Sequence, residues 1–404
     1  MIMAKQKSKS LSAKGLQEQI LSLNRIGIAL SEQHSLNELL DLILTESRQF
    51  TNAEAGSLYV REGNQLRFAI SQNEILEKRA KAKEKREGIV IPKTFTGFYL
   101  SLDKSSLAGY VGVTGKILNI PDAYKIPKGK EYKFNSSFDE KNNYRTKSML
   151  MVPLKDTSDN VVGVLQLINA RKGKTVVPFS KYFETLALSL ASQAAVSIKN
   201  TVLGQELREA YLDTIFRLSV AAEYKDDDTA VHIQRMSQYS AIIAEGLGLS
   251  ATEVENIRFA SPMHDIGKLG VPDSILLKPA KLTATEFKEM QNHTIIGGKI
   301  LENAKADILK VSEQIAITHH EKWDGSGYPN GLAGENIPLY GRIVALADVF
   351  DALTTKRCYK PAFSMDETMH IIKEGTGRHF DPTVVSAFEK SMDKIMVVKN
   401  KFAI

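Results

Sequence analysis

His319-His320-Glu321-Lys322-Trp323-Asp324-Gly325-Ser326-Gly327-Tyr328-Pro329 sets two adjacent imidazoles ahead of a glycine-rich turn that holds the single tryptophan of the chain. Histidine is the commonest metal ligand among side chains, but an isolated pair serves equally well on a surface or in a core. Its surroundings give it weight. Only His34 precedes residue 200; the other histidines are His232, His264, His293, His319, His320, His370 and His379. Histidine chemistry therefore belongs to the second half of the chain. Capping boxes at Ser250-x-x-Glu253, Thr283-x-x-Glu286 and Ser364-x-x-Glu367 open helical patterns there. No alternating strand pattern follows residue 205, so this half is predicted to be all-α.

On that helical background the ligand-type residues recur in series. Asp228 and His232 are four apart and share a helix face. His264-Asp265-Ile266-Gly267-Lys268 aligns positions 264 and 268, with Asp265 beside them; His293, the His319-His320 pair and Asp348 follow. Asp265 and Asp348 lie in apolar contexts, where a carboxylate without a cation is costly. One at a time, each reads equally as a helix cap or a core histidine; the series of eight does not. Its imidazoles and carboxylates exceed the roughly four to six ligands of one divalent ion. Two or three metals sharing a carboxylate are expected, with Asp265 as the candidate bridge. Mixed nitrogen and oxygen donors without thiolate suit iron, manganese or zinc and argue against calcium. Metals ~3.5–4 Å apart clamp the attacking and leaving oxygens of a phosphoryl displacement and make hydroxide available near neutral pH.

Cations accompany the series. Lys268 is one turn from His264, Arg342 precedes Asp348, and Arg357 and Lys360 follow it. Guanidinium grips phosphate bidentately and lysine acts as a point charge; each also reads as a solvated surface cation, Lys360 most readily. Trp323 or Tyr328 would stack on a nucleobase or simply pack.

The first half reads differently. Leu16, Ile20, Leu23, Gly27 and Leu30 recur at helical spacing, and a second helix is expected from a capping box at Ser35-x-x-Glu38, with Leu36, Leu39, Leu40, Ile43 and Leu44 behind it. Gly56 to Val60 and the alternating Leu66, Phe68 and Ile70 predict paired strands; Met149 to Leu154 and Val161 to Asn169 predict a hairpin around 155–160. Residues 77–87 form a charged insertion, helical or mobile. This succession predicts an α+β domain with an antiparallel sheet. Between the halves, residues 180–224 contain no proline and one glycine, Gly204. A long connecting helix is expected, in which Ala191, Ala195, Ile198 and Val202 form either a core face or a seam with a second copy. The organisation is then a basic tail (1–14), an α+β domain (15–180), a connecting helix (181–209) and an all-α domain that carries the ligand-type residues (210–404).

Composition excludes several classes. With 404 residues, 43% of them hydrophobic and 25% charged, the chain has the make-up of two or three soluble domains. One cysteine, Cys358, rules out both a disulfide framework and a thiolate zinc site, and fits a reducing, cytoplasmic setting. No run approaches the ~20 apolar residues of a membrane span. The net charge of +6 resides largely in the tail and the charged insertion and does not demand a nucleic-acid polymer as partner.

Residues 15–200 resemble a GAF domain of the type in cyclic-nucleotide phosphodiesterases. The likeness rests on Ser106-Leu107-Ala108-Gly109-Tyr110-Val111, Leu118-Asn119-Ile120-Pro121-Asp122-Ala123-Tyr124 and Tyr144-Arg145-Thr146-Lys147-Ser148-Met149-Leu150. Of the Asn-Lys…Phe-x-x-x-Asp-Glu signature, Asn169, Phe179 and Glu184 match, whereas Ala170 and Phe183 stand at the lysine and aspartate positions. The ion pair of that signature cannot form. The domain reads at least equally as a dimerisation and relay module, and its ligand is unknown.

Residues 210–390 resemble the HD-GYP domains, a bacterial branch of the HD phosphohydrolases. The resemblance rests on His264-Asp265, the histidine pair, Gly327-Tyr328-Pro329, the run 271–279, Asp348-Val349-Phe350-Asp351-Ala352-Leu353-Thr354 and His379-Phe380-Asp381-Pro382. It implies hydrolysis of cyclic di-GMP to linear pGpG, in some members onward to GMP. It also implies metal ligation by His232, His264, Asp265, His293, His319, His320 and Asp348. Lys268, Arg342, Arg357 and Lys360 match positions that hold substrate. Asp228 stands where members with a third metal usually carry glutamate. Iron is the first expectation, with manganese and zinc as alternatives. A bacterial, GAF-regulated, homodimeric phosphodiesterase follows, with Asp265 and Lys268 at its catalytic core. Competing readings are a hydrolase of cyclic GMP-AMP and a non-hydrolysing cyclic di-GMP adaptor.

Overall fold

The structure, a computed structural model, describes residues 27, 35–87, 97–225, 230–355 and 361–402. The basic tail, all but Gly27 of the first expected helical stripe, Asp228, Arg357 and Lys360 lie outside the described residues. The chain divides into two compact units, with the boundary between Leu207 and Arg208.

In the first unit, helix α1 (Leu36–Thr51) buries Leu39, Leu40, Ile43 and Leu44 at helical spacing. Ser35 is its N-cap residue, but its side chain makes no cap hydrogen bond. The capping box expected at Ser35 and Glu38 therefore does not form, and the apolar stripe carries the helix. Strands β1 (Ala53–Glu62) and β2 (Gln65–Asn73) pair in antiparallel fashion, and the charged insertion is helical, α2 (Glu74–Glu87). Next come β3 (Tyr99–Ser101), α3 (Leu107–Thr114), β4 (Leu118–Ile120), α4 (Ser137–Asn142), β5 (Met149–Lys155), β6 (Val161–Lys172) and β7 (Thr175–Val177). The sheet order is β3-β2-β1-β6-β5-β4, with β7 on the far end of β6 and every pairing antiparallel.

Side chains alternate between two cores, as the pleat requires. Leu58, Val60, Leu150, Val152, Leu154, Leu165 and Leu167 face α1 on one side; Tyr59, Met149, Met151 and Val164 meet Leu107 and Val111 of α3 on the other. Register aligns Ile70, Leu58, Leu165 and Val152 in one row across four strands. Strand β5 reads as an unbroken apolar run, Met149 to Leu154, because both its faces are buried. Asn169, with a left-handed φ of 58°, ties the sheet end together: its amide donates to the Arg145 carbonyl at 2.9 Å and its carbonyl oxygen accepts from Lys147 N–H at 2.8 Å. Ala170 and Phe183 both pack in the α1-side core, so the two positions that depart from the nucleotide signature are filled with apolar packing.

Helix α5 runs from Lys181 to Glu223, well past residue 209. Ala191, Ala195 and Ile198 are buried against the sheet, with Val202 packed at their edge, so the expected stripe is a core face of this unit. In the second unit the last turns of α5 contribute Ile215 and Ala222 to a helical core. That core is completed by α6 (Ala230–Gly246), α7 (Ala251–Ala260), α10 (His293–Leu301), α11 (Asp307–Thr318), α12 (Leu339–Thr354), α13 (Met365–Glu374), α14 (Pro382–Lys390) and α15 (Met392–Lys401), while the short helices α8 (Asp273–Leu276) and α9 (Ala284–Gln291) lie outside it. Tyr239, Ile257, Ile315, Phe350 and Phe388 are its fully buried centre. The capping boxes at Ser250, Thr283 and Ser364 all form, each contributing ~1 kcal/mol to its helix. No strand occurs among the described residues of this unit; only isolated bridges join Asp324 to Ala333 and Thr376 to Phe380. No described helix is long and apolar enough to cross a membrane.

Candidate metal centre

Four helices and two 3-10 turns of the second unit bring the ligand-type residues together. His232 lies in the first turn of α6. His264 follows a 3-10 turn, Ser261–Met263, that ends α7, and Asp265 opens another, Ile266–Gly270. His293 starts α10, His319 caps α11, and Asp348 is internal to α12. Asp265 has φ −103° and ψ 14°, a sparsely populated backbone region in which active-site residues often sit.

Asp265 is the hub. Its Oδ1 is 3.2 Å from His293 Nε2 and 3.3 Å from His319 Nε2; its Oδ2 is 3.4 Å from His264 Nε2. Among the described residues, potential ligand atoms fall into three groups, each within 4.8 Å: Asp265 with His293, His319 and His320; His232 with His264 and Asp348; and Glu223 with His264 and Asp265. His264, His319, His232, His293 and Asp265 are all buried.

The opposite ring nitrogens are anchored. Nδ1 meets a carbonyl oxygen at 3.0 Å in His264 (Ser261), 2.7 Å in His293 (Met290) and 3.0 Å in His319 (Ile315). In His232 it meets Asp351 Oδ2 at 2.7 Å. A carbonyl or carboxylate only accepts, so each Nδ1 carries a proton, and in the neutral form of the ring the lone pair of Nε2 turns inward. Two such nitrogens, of His293 and His319, stand 3.5 Å apart. Lone pairs directed at one another repel unless a cation lies among them. Asp265 Oδ1 and His264 Nε2 are buried without a hydrogen-bond partner among the described residues, which makes the same point. The donor set fits divalent metal ions.

Electrostatics agree. Burial strips charge from His319 and His320, whose pKa values are lowered, with His319 adding to the effect on His320. Burial also opposes the charged form of His264, but Asp265, Asp348 and Glu223 outweigh it and hold that imidazole up at about 10. Burial would raise the Asp265 carboxyl, yet Lys268 and His264 hold it well below the usual carboxylate range. Lys268 Nζ is 2.7 Å from Asp265 Oδ2. A metal ion here must displace a proton, so binding is coupled to pH.

Two glycines permit the approach. A Cβ on Gly267 would lie 1.8 Å from the His293 carbonyl oxygen, so the 266–270 turn reaches the start of α10 only without a side chain. A Cβ on Gly327 would lie 2.4 Å from Lys322 N and 2.6 Å from the His320 carbonyl oxygen. This tight return lets Tyr328 N–H donate to that carbonyl at 3.2 Å and lays the tyrosine ring 4.8 Å from His320. The buried Glu321 carboxylate holds the loop beyond by accepting from Asn330 N–H at 2.8 Å and Leu332 N–H at 3.0 Å.

Of the expected substrate residues, Lys268 and Tyr328 line the histidine cluster. Arg342 is engaged elsewhere: its Nη1 donates to Asp381 Oδ2 at 2.6 Å, and its guanidinium stands 5.7 Å from the Trp323 ring. Three neighbours escaped the sequence reading. Asp351 accepts from His232 and from Arg235, whose Nε and Nη2 approach at 2.5 and 2.8 Å. Glu223 approaches from the end of α5, with Lys268 Nζ at 3.7 Å. The spacings His232-x-x-Arg235 and Asp348-x-x-Asp351 were the available signal, since residues three apart share a helix face.

Residues 35–198 match the GAF domain and residues 218–384 match the HD domain as families. The chain thus carries a GAF domain followed by an HD domain. Among curated proteins it resembles the cyclic di-GMP phosphodiesterase response regulator RpfG of Xanthomonas campestris, with 43% identity over 213 residues that cover 52% of this chain and 56% of that protein. A cyclic di-GMP phosphodiesterase of Thermotoga maritima is 45% identical over 190 residues, 46% of this chain and 52% of that protein. The 3'3'-cGAMP-specific phosphodiesterase 2 of Vibrio cholerae is 42% identical over 204 residues, 50% of this chain and 39% of that protein. The chain spans about half the length of these relatives, or less.

Proposed function

We propose that this protein is a metal-dependent phosphodiesterase that hydrolyses cyclic di-GMP to linear pGpG, GMP or both, under control of its GAF domain. The observation that carries the reading is Asp265, a buried carboxylate flanked by inward-facing histidine nitrogens from separate elements. The names of two relatives support the substrate. His232, His264, Asp265 and Asp348 would hold one ion, and Asp265, His293, His319 and His320 the other. Asp228 is the proposed ligand of a third. Iron is preferred, then manganese and zinc, since the donors are imidazole and carboxylate. Such ions supply an activated water and neutralise phosphate charge.

Lys268, Tyr328, Arg342, Arg357 and Lys360 are the proposed substrate-binding residues, and Asp265 and Lys268 the catalytic pair. In the hydrolysis a water oxygen joins phosphorus, the bond to a 3′-oxygen breaks, and that oxygen gains a proton. Lys268 offers N–H donors to the phosphate. We assign residues 15–180 to the sensor, 181–209 to the connector and 210–404 to the catalytic domain, in a cytoplasmic protein of bacterial type. Exposed Leu188, Val196, Leu203, Leu207 and Leu218 along α5 support a homodimer through that helix and the GAF domain.

The test is anaerobic purification, incubation with cyclic di-GMP and ferrous or manganous ion, and chromatography of products, with cyclic GMP-AMP run alongside. Chelator-sensitive pGpG or GMP is expected. Metal-replete protein that leaves cyclic di-GMP intact overturns the proposal. Preference for cyclic GMP-AMP would favour the activity named for the Vibrio relative.

A further inference from the structure

A second carboxylate reaches the centre from outside the expected ligand set. Glu223 is the last residue of α5 and only 1% exposed, yet neither of its oxygens has a hydrogen-bond partner among the described residues. A buried carboxylate left so is costly unless a cation serves it. Among the described residues the lysine beside it is Lys268, whose Nζ sits 2.7 Å from Asp265 Oδ2 and 3.7 Å from Glu223 Oε2. The ammonium thus lies between two carboxylates and closer to the one assigned to the metals.

That arrangement cannot survive metal binding unchanged. A divalent ion on Asp265 repels an ammonium on the same carboxylate and draws away the negative charge that holds it there. We infer that Glu223 is the positioning residue for Lys268, receiving its ammonium when a metal takes Asp265. The inference rests on the metal-centre reading of the site. The move closes the 3.7 Å gap to a charge-assisted hydrogen bond of ~2.8 Å. Lys268 remains charged and beside the centre, with N–H groups left for a substrate phosphate. Because Glu223 ends α5, any displacement of the last turn of that helix acts directly on Lys268.

The experiment is calorimetric titration of manganous ion into full-length wild type, Glu223→Gln, Lys268→Met and the double variant, with thermal melts to verify folding. Glu223→Gln leaves the ammonium on Asp265 to compete with the metal. Manganese affinity is expected to fall about 10-fold, as for other residues that orient metal ligands. In the Lys268→Met background no ammonium competes, so the same substitution is expected to change affinity less than about 2-fold; the cycle isolates the coupling. Glu223→Asp keeps the charge and should recover part of the loss, and it completes the cycle if the glutamine variant does not fold. An equal fall in both backgrounds makes Glu223 a metal ligand and overturns the inference. So does an unchanged affinity in Glu223→Gln. Wild type that takes up no manganese overturns the metal-centre reading itself, a separate result.

Discussion

Asp351→Asn isolates the role of the carboxylate behind the ligands, because it preserves shape and removes charge. Three donors converge on Asp351: Arg235 Nε on Oδ1 at 2.5 Å, Arg235 Nη2 on Oδ2 at 2.8 Å and His232 Nδ1 on Oδ2 at 2.7 Å. Asparagine offers one oxygen and one NH2. With its oxygen at the Oδ2 position it still serves two donors but turns NH2 against Arg235 Nε–H; flipped, it loses both other bonds. Either way a guanidinium only 6% exposed loses its countercharge. Breaking a buried pair from one side costs about 3–5 kcal/mol. At about 2–4 °C per kcal/mol for a domain of this size, the metal-free protein should melt about 10 °C lower. His232 also loses the acceptor that fixes its ring, so manganese affinity should fall about 10–100-fold. Differential scanning of chelated protein and calorimetric metal titration read the two effects separately. A variant that melts within about 1 °C of wild type and binds manganese equally well would refute this account of how His232 is oriented.

Gly267→Ala should abolish metal loading, because its Cβ would sit 1.8 Å from the His293 carbonyl and push the start of α10 away; elemental analysis showing full occupancy would contradict this. Chelation of loaded protein should lower its melting temperature. Each site at 100-fold saturation adds ~2.7 kcal/mol, so two sites give roughly 5 kcal/mol and a shift of roughly 10–20 °C; a shift near zero would mean that the folded chain holds no ion. Asp381 links stability to pH. Burial would raise its pKa, but Thr383 and Arg342 hold it below the usual range. The group is therefore more acidic folded than unfolded. Its contribution of ~2 kcal/mol is full above the ordinary carboxylate value of ~4 and fades as pH falls through the depressed value. Melts of Asp381→Asn against wild type should differ most at neutral pH and converge in acid; a gap that widens in acid would reverse the sign of this argument.

Much of this architecture was legible because local rules determine it. Leu39, Leu40, Ile43 and Leu44 mark α1 by period, and the boxes at Ser250, Thr283 and Ser364 mark three helix starts by chemistry. The box at Ser35 has the same residues at the same spacing and does not form, since a hydroxyl and a carboxylate show the possibility of a cap, and the backbone angle of chain entry decides it. The Ala191, Ala195 and Ile198 stripe was ambiguous for a related reason. Small apolar residues at helical spacing serve a sheet or a second helix alike, and only the position of Leu150 and Leu165 opposite them shows which.

The histidines were found because ligands repeat a rare residue type, whereas their supports do not. His264, His293 and His319 are oriented by carbonyls of Ser261, Met290 and Ile315, which any side chain at those positions would supply. The sequence cannot show such an anchor. Asp351, Arg235 and Glu223 are common surface residues by type, and their burial is a tertiary fact. Two of them still left a trace. His232 with Arg235, and Asp348 with Asp351, are i, i+3 pairs on separate helices, and each helix supplies one candidate ligand and one support. Such a pair orients the ligand from its own helix or from the facing one, so a polar residue three positions from a candidate ligand, in an otherwise apolar helix, is itself a reason to expect a buried partner. Glu223 has no such neighbour in sequence. It meets Lys268 only because the end of α5 packs beside the 266–270 turn, and no spacing rule connects them.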